Sequence, residues 1–245
     1  MKKVFRKLVV VIGIFAVCIP SSFSQVLTEK GNGNVITSER TISPFEKIKS
    51  SGSVGMYFHA SDQYRAVVSV DSNLDKYIEV STEDSVLNIR NKYYGDSGNT
   101  FTQCTVDVYC PALTDISITG TGNFECVDTI ASPTLAAEIL GSGMMKEKFK
   151  GDNFSLEILG SGNVTVTGTA TNATVSVLGS GNFNGLMFDT KNATVAVGGS
   201  GKASIGVADN LKATLFGEGT GGQITYRGEP KIESNIKGNG KLLKM

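Results

Sequence analysis

Apolar and polar positions alternate with a period of two ahead of a Gly-x-Gly step that recurs through the second half of the chain. Seven such steps occur, 18 to 21 residues apart. The residue two positions before each step is always aliphatic: Ile118, Ile139, Ile158, Val177, Val197, Leu215 and Ile236. The residue before it is mostly polar or small. This alternation is typical of a β-strand with one buried face, so it predicts one such strand in every repeat.

A second, mainly apolar column follows each step, four residues after its first glycine. It comprises Phe124, Met145, Val164, Phe183, Ala203, Gly221 and Leu242. Glycine reaches positive φ without steric cost, so the step predicts a sharp turn between two strands. Four asparagines at the same pitch predict a second corner in the chain: Asn153, Asn172, Asn192 and Asn210.

Strands that recur about every 20 residues, with like residues at like positions, predict an all-β fold, a parallel β-helix (β-solenoid) with Gly-Ser-Gly turns. Residues 25–100 follow the alternation less regularly, and residues 101–245 contain the regular repeats. We therefore predict a single β-helix domain over residues 25–245. The polar, Gly-rich stretch 91–100 is the best candidate loop. Tyr93 and Tyr94 in this loop are the candidate contact residues for a protein or glycan partner, because one of two neighbouring rings is expected to be exposed.

The first 24 residues have the features of a secretory signal peptide. Four basic residues precede the apolar run from Leu8 to Ile19, and small residues follow it up to Ser24. The run is too short to span a bilayer, so we predict cleavage after Ser24 and no transmembrane segment in the mature chain. A lipid-anchored alternative at Cys18 lacks the usual small residues before the cysteine. The predicted destination is the periplasm, the outer-membrane surface or the extracellular medium.

The charge and the cysteines exclude several classes of function. The chain has 23 basic and 23 acidic residues, and removal of the signal peptide leaves 19 basic residues and a net charge of about −4. Without a basic excess we expect no nucleic-acid partner. Cys104, Cys110 and Cys126 remain in the mature chain, and whether Cys104 pairs with Cys126 is open. His59 is the single histidine, so we predict no Cys/His metal cluster and no cofactor.

Residues across most of the mature chain resemble one known family. The segment Arg40–Ile48 reads Arg-Thr-Ile-Ser-Pro-Phe-Glu-Lys-Ile, and Ser51-Gly52, Val68–Asp71 and the later Gly-Ser-Gly-Asn turns follow it. Together they resemble the "putative auto-transporter adhesin, head GIN domain" family, also called domain of unknown function 2807. The resemblance extends from about Asn34 to about Gly228. It implies a right-handed β-helix in exported proteins of Bacteroidetes-like bacteria and an adhesin role, and it supplies no catalytic residues.

The chemical motifs of the chain favour a non-enzymatic protein. Gly217–Gly222 has the spelling of a dinucleotide-binding loop, but a strand pattern follows it where a helix is required, which favours a turn. The repeat places Glu138 above Glu157, an acidic pair with no basic partner evident from the sequence. We predict an exported cell-envelope or surface protein that is an adhesin-like binding or structural module. The alternative is a polysaccharide lyase or glycoside hydrolase on the same scaffold. The oligomeric state is open.

Overall fold

The computed structural model describes residues 29–92, 100–217 and 221–245. The predicted signal peptide, with Tyr93 and Tyr94, lies outside the described residues. The described part is almost entirely β-structure and contains no α-helix, with one 3-10 turn at Asp75–Tyr77. Its strands are β1 (Val35–Arg40), β2 (Lys47–Gly52), β3 (Gly55–Ala60), β4 (Arg65–Asp71), β5 (Ile78–Glu83), β6 (Val86–Asn91), β7 (Cys104–Cys110), β8 (Asp115–Gly120), β9 (Asn123–Cys126), β10 (Ile130–Ala131), β11 (Thr134–Gly141), β12 (Met144–Gly160), β13 (Asn163–Gly179), β14 (Asn182–Gly199), β15 (Lys202–Phe216), β16 (Gln223–Arg227), β17 (Lys231–Ile236) and β18 (Lys241–Lys244).

The predicted β-solenoid is confirmed, with coils about 20 residues apart. Strand segments that precede the Gly-x-Gly steps pair in parallel with one another, and we call them row A. Segments that follow the steps also pair in parallel, and we call them row B. The long strands β12 to β15 pass through the second corner and contribute to both rows. Each coil therefore buries its apolar face only against the coils beside it and the opposite row.

The aliphatic column before the steps lies in register, as predicted. Ile139 pairs with Ile158, Ile158 with Val177 and Val177 with Val197. These side chains are fully buried. Ile236, the last member of the column, is exposed because β17 pairs only with β15 among the described residues, so no strand covers its other side there. The column predicts the core correctly wherever a coil has a neighbour on both sides.

The second column contains one error. Gly221 does not occupy the predicted inward position; Ile224 pairs with Ala203 instead and is fully buried. The reason is the length of the turn. Gly217 aligns with Gly199, but three additional residues separate it from the next strand, so the inward position moves from Gly221 to Ile224. A fixed spacing from the first glycine cannot allow for an insertion within the turn.

The asparagine corner is confirmed as a ladder of side-chain hydrogen bonds. The Asn172 amide donates to Asn153 at 3.0 Å, Asn192 donates to Asn172 at 3.1 Å, and Asn210 donates to Asn192 at 2.8 Å. The two middle residues, Asn172 and Asn192, each donate one amide hydrogen to the preceding coil and accept one at their oxygen from the following coil. The ladder therefore fixes the register of four successive coils at the edge opposite the glycine turns.

The first half combines coils with antiparallel strands, which the sequence pattern did not indicate. The coil formed by β2 and β3 lies between the β6–β7 pair and the β8–β9 pair, so spatial order differs from chain order. Strands β4 and β5 pair antiparallel with β7 and β6, and β1 pairs antiparallel with β4. These antiparallel strands cover the first end of the solenoid.

Candidate binding surface

The strongest cluster of chemically active side chains lies on the outward side of β3 and its neighbours. Tyr57 of β3 pairs with Asp107 of β7 on one side and with Glu125 of β9 on the other. His59, two positions along β3, pairs with Tyr109 of β7. We call these five residues the Tyr57 patch. It lies in row B, and chain segments from three separate strands form it.

Contacts within the Tyr57 patch hold most of its side chains in place. His59 Nε2 lies 2.9 Å from Asp107 Oδ1, and the His59 ring stacks on Tyr109 with centroids 4.6 Å apart. The Arg65 guanidinium lies 5.2 Å from the centroid of Tyr109, a cation–π contact from the neighbouring strand β4. The His59 ring and the Arg65 guanidinium thus both contact the ring of Tyr109, which leaves little of that ring for a ligand.

Tyr57 is the open member of the patch. Its side chain is 36% exposed, and in the described part of the chain no aromatic ring stacks on it. The outward position next to it on β3 is Gly55, which has no side chain and pairs with Thr105 on one side and Asn123 on the other. An exposed ring with a carboxylate on either neighbouring strand can hold a ligand that has both apolar and hydroxyl groups.

A second candidate surface is a shallow groove of about 460 Å³ on the outward side of row A. Three carboxylates line it: Asp115, Glu138 and Glu157. Glu138 and Glu157 pair in register as predicted, and the Ser117 hydroxyl donates to Glu138 at 3.2 Å. We call this surface the acidic groove. Its carboxylates lie on three adjacent strands, β8, β11 and β12, and neighbouring strands are about 4.8 Å apart.

The basic partner that the sequence did not reveal lies at one end of the acidic groove. Lys47 of β2 pairs directly with Asp115 of β8, and Lys49 lies two positions along β2. Burial raises the pKa of Asp115, whereas Lys47 and Lys49 lower it and Glu138 raises it further. Lysines and carboxylates therefore share this face because β2 inserts beside β8, although the two strands are far apart in the chain.

A buried carboxyl group was also missed. Glu147 points inward from row B, between Met145 and Phe149 along β12, and is 2% exposed. Neither of its carboxylate oxygens has a hydrogen-bond partner in the described structure. Burial raises the pKa of Glu147 to about 8. The signal was present in the sequence, because Glu147 lies two positions after Met145, a predicted inward residue, and so has the same parity.

The cysteines are free thiols, and the possible pair is not formed. Cys104 lies opposite Val70 on β4, whereas Cys126 pairs with Phe58 on β3, on the far side of β3 from β7. The insertion of β3 between β7 and β9 separates the two cysteines, which chain order alone would have stacked. Burial raises the pKa of Cys104, Cys110 and Cys126 to about 12, so all three thiols stay protonated at neutral pH.

The remaining sequence motifs have structural roles. Gln223–Arg227 is a strand, so the Gly217–Gly222 spelling is followed by a strand where a dinucleotide-binding motif requires a helix. Asp71 is buried, and its carboxylate accepts hydrogen bonds from the backbone N–H groups of Gly33 and Thr102. The Thr102 hydroxyl and these N–H groups lower the pKa of Asp71. In the described residues no three His, Cys, Asp or Glu side chains converge on a common point.

The family model described as "Putative auto-transporter adhesin, head GIN domain" matches residues 44–230 of this chain. The chain belongs to this family. The match covers about three quarters of the sequence and confirms the resemblance seen in the first half and in the glycine turns. A search of curated proteins found no match for this head GIN domain chain.

Solved structures share the fold of this head GIN domain protein. A putative adhesin from Bacteroides fragilis superimposes with a TM-score of 0.80 at 20% identity, over 89% of this chain and 100% of its own. A putative lipid binding protein from Parabacteroides distasonis gives 0.71 at 24% identity, over 89% and 100%. A putative adhesin from Parabacteroides merdae gives 0.68 at 25% identity, over 89% and 99%. Among the described residues of the head GIN domain, no helix is long and apolar enough to cross a bilayer.

Proposed function

We propose that this head GIN domain protein is an exported, non-enzymatic binding module of the cell envelope, and that the Tyr57 patch contacts a glycan. The observation that carries the proposal is the exposed ring of Tyr57, with Asp107 and Glu125 paired on either side of it. A pyranose ring has C–H faces that pack on an aromatic ring and hydroxyl groups that donate to carboxylates. The family description and the adhesin neighbours support a binding role.

The support for a rigid site comes from the neighbours of β3. Strands β7 and β9 hold β3 on both sides, and His59 and Lys146 contact the two flanking carboxylates, with Lys146 Nζ 3.3 Å from Glu125. A site built on paired strands loses little conformational entropy when a ligand binds. Weak contacts with a sugar can then contribute to measurable affinity.

A glycan array tests the binding proposal with matched variants. We expect Tyr57→Ala to lower the affinity for the bound glycan at least tenfold, because the stacking surface is lost. Tyr57→Phe keeps the ring and is expected to bind nearly as wild type. Thr165→Ala, in the same outward row of strands, is the control for a general surface change. Unchanged binding by Tyr57→Ala would refute the assignment to this patch.

The acidic groove favours a second candidate, a carbohydrate-active enzyme. Asp115, Glu138 and Glu157 with Lys47 and Lys49 provide carboxylates and basic groups on one face. A reducing-sugar assay on the glycans that bind separates the candidates. We expect no release of reducing ends; release that Glu138→Gln or Glu157→Gln abolishes would establish the enzyme and overturn the non-enzymatic proposal.

Export is tested separately from binding. The predicted signal peptide implies that the mature protein begins at Gln25, which N-terminal sequencing of protein from the envelope fraction reads directly. An adhesin must also be reachable from outside the cell. Protease treatment of intact cells is expected to degrade the protein, and complete protection would contradict a surface role while leaving a periplasmic binding role in place.

A further inference from the structure

The last described coil leaves one edge of the solenoid unpaired. Strand β17 pairs with β15, and strand β18 pairs with β16; within the described residues neither has a partner on its other side. The Lys237 N–H donates to the Leu215 carbonyl at 2.9 Å, toward β15. Because N–H groups alternate sides along a strand, those of Ile232, Ser234 and Ile236 point to the open edge.

The two ends of the solenoid differ. At the first end, the antiparallel strands β4 and β5 pair with β7 and β6 and cover the coils. At the last end, Ile232 and Ile236 continue the inward column of Leu211 and Leu215 but are 40% and 43% exposed. Proteins commonly protect strand edges, since unpaired N–H and C=O groups are a template for another strand. Here the template is combined with uncovered aliphatic side chains.

The charges of this edge select the kind of strand that fits. Lys231, Lys237 and Lys241 lie on the last coil and form no ion pair in the described structure, whereas Glu233 pairs with Lys212 and Glu229 with Lys244. The uncompensated charge of the edge is therefore positive. A second copy of the chain would bring the same lysines together, while an acidic strand would neutralise them.

We propose that the open edge of β17 binds an extended, acidic segment of another polypeptide, which adds to row A as a further strand. Alternate apolar residues of that segment cover Ile232 and Ile236, and its acidic residues face Lys231 and Lys237. The backbone ladder supplies hydrogen bonds that do not depend on sequence, and the side chains supply selectivity. This site is separate from the Tyr57 patch and does not depend on the proposed glycan contact.

The test uses a short capped peptide of alternating Glu and Val, with a Lys and Val peptide of the same length as the control. Isothermal titration calorimetry with the full mature chain is expected to detect the acidic peptide and not the basic one, with affinity that falls as salt rises. Ser234→Pro removes an N–H that points to the open edge and leaves the pairing of β17 with β15 in place. We expect it to weaken binding at least tenfold, while Ser234→Ala and Tyr57→Ala bind as wild type.

Each other outcome contradicts the proposal. Equal binding by wild type and a Ser234→Pro variant with an unchanged melting temperature would exclude strand addition, as would equal binding of both peptides or of neither. Light scattering is expected to show a monomer; a dimer that Ser234→Pro dissociates would assign the edge to a second copy. Vesicles of phosphatidylglycerol that bind wild type and displace the acidic peptide would assign it to a lipid surface.

Discussion

Arg227 donates two hydrogen bonds to the carbonyl oxygen of Leu186, at 3.1 Å and 3.0 Å, across the whole width of an intervening strand. The two residues belong to β16 and β14, and Gly206 of β15 lies between them. A Cβ on Gly206 would come within 2.5 Å of Arg227 Nη2. The missing side chain therefore allows Arg227 to reach a bulge in β14, where the register shifts between Gly185 and Asp189.

Arg227→Ala is expected to loosen this bulge. The two hydrogen bonds to Leu186 and the ion pair with Asp189 are lost, at a cost of about 1 kcal/mol in the free energy of unfolding because the site is partly exposed. Hydrogen exchange at Leu186 and Met187 measures the local effect. Lys212→Ala removes an exposed ion pair with Glu233 and is the control. Equal protection of the bulge in wild type and Arg227→Ala would contradict the role of Arg227.

Val177→Asp is expected to prevent folding or leave protein that proteases cut readily. Val177 is fully buried and pairs with Ile158 and Val197, so the new carboxylate has neither water nor a partner. The cost is several kcal/mol, comparable to the stability of a whole domain.

The control for Val177→Asp carries the same charge on the outward side of the same strand. Thr174 is exposed and lies between Ser155 and Thr194, so an aspartate there has no acidic neighbour in register. Ser176 is less suitable, since Glu157 lies beside it. Circular dichroism melting should show Thr174→Asp close to wild type. Equal damage from both substitutions would mean that the inward and outward positions are misassigned.

Gly179→Ala is expected to destabilise the solenoid locally. Gly179 has φ of 129°, and an added Cβ would lie 2.4 Å from the carbonyl oxygen of Gly160 in the preceding coil. The two coils must move apart to remove this clash, which lowers the free energy of unfolding by more than about 1 kcal/mol. Because coils contact only their neighbours, hydrogen exchange should rise first around β13 and β14.

Gly55→Ala is the matched control for Gly179→Ala. A Cβ on Gly55 would lie 3.4 Å from its closest neighbour, an ordinary contact, and Gly55 has no positive φ. Gly185, which lies outside the repeated step, is unsuitable because an added Cβ would come within 2.6 Å of the Phe183 ring. If Gly55→Ala lowers the melting temperature as much as Gly179→Ala, close stacking of the turns is not the cause.

Glu147 is expected to make stability fall with rising pH. Its pKa is about 8 in the folded chain and near 4.5 when unfolded, so the folded state keeps a proton that the unfolded state releases. The free energy of unfolding therefore decreases between about pH 4.5 and 8, by up to about 1.4 kcal/mol per pH unit, and this group adds no further loss above that range.

Urea unfolding from pH 5 to 8 measures the contribution of Glu147. Glu147→Gln cannot ionise, so its stability should depend less on pH, and it should exceed wild type in stability at pH 8. Glu125→Gln, on the outward side of β9, is the control and is expected to keep the wild-type slope. Identical slopes for wild type and Glu147→Gln would show that Glu147 does not ionise differently in the folded and unfolded states.

The repeated half was predictable because nearly every coil has the same spacing of inward residues, outward residues and turn glycines. The period-two column through Ile158 and Val177 identifies the inward positions, and identical spacing between coils then determines the register. The Asn172 ladder follows from the same spacing. Where the spacing changes, as between Gly217 and Ile224, the predicted inward position is wrong by the length of the insertion in the turn. The burial of Glu147 was not predicted: the residue has the parity of Met145 on the same strand, but its charged side chain argues against an inward position.

Only the tertiary structure decided which outward side chains meet. Tyr57 lies beside Asp107 and Glu125, and Lys47 beside Asp115, because the β2–β3 coil inserts between strands that follow it by dozens of residues. Alternation specifies which face a residue occupies but contains no information about which distant strand pairs with it. Pairing partners in the first half are chosen by long-range packing and by the antiparallel strands that cover the first end. For this reason the sequence by itself determined the coil, its core and its turns, and the folded chain determined the Tyr57 patch, the acidic groove and the open edge of β17.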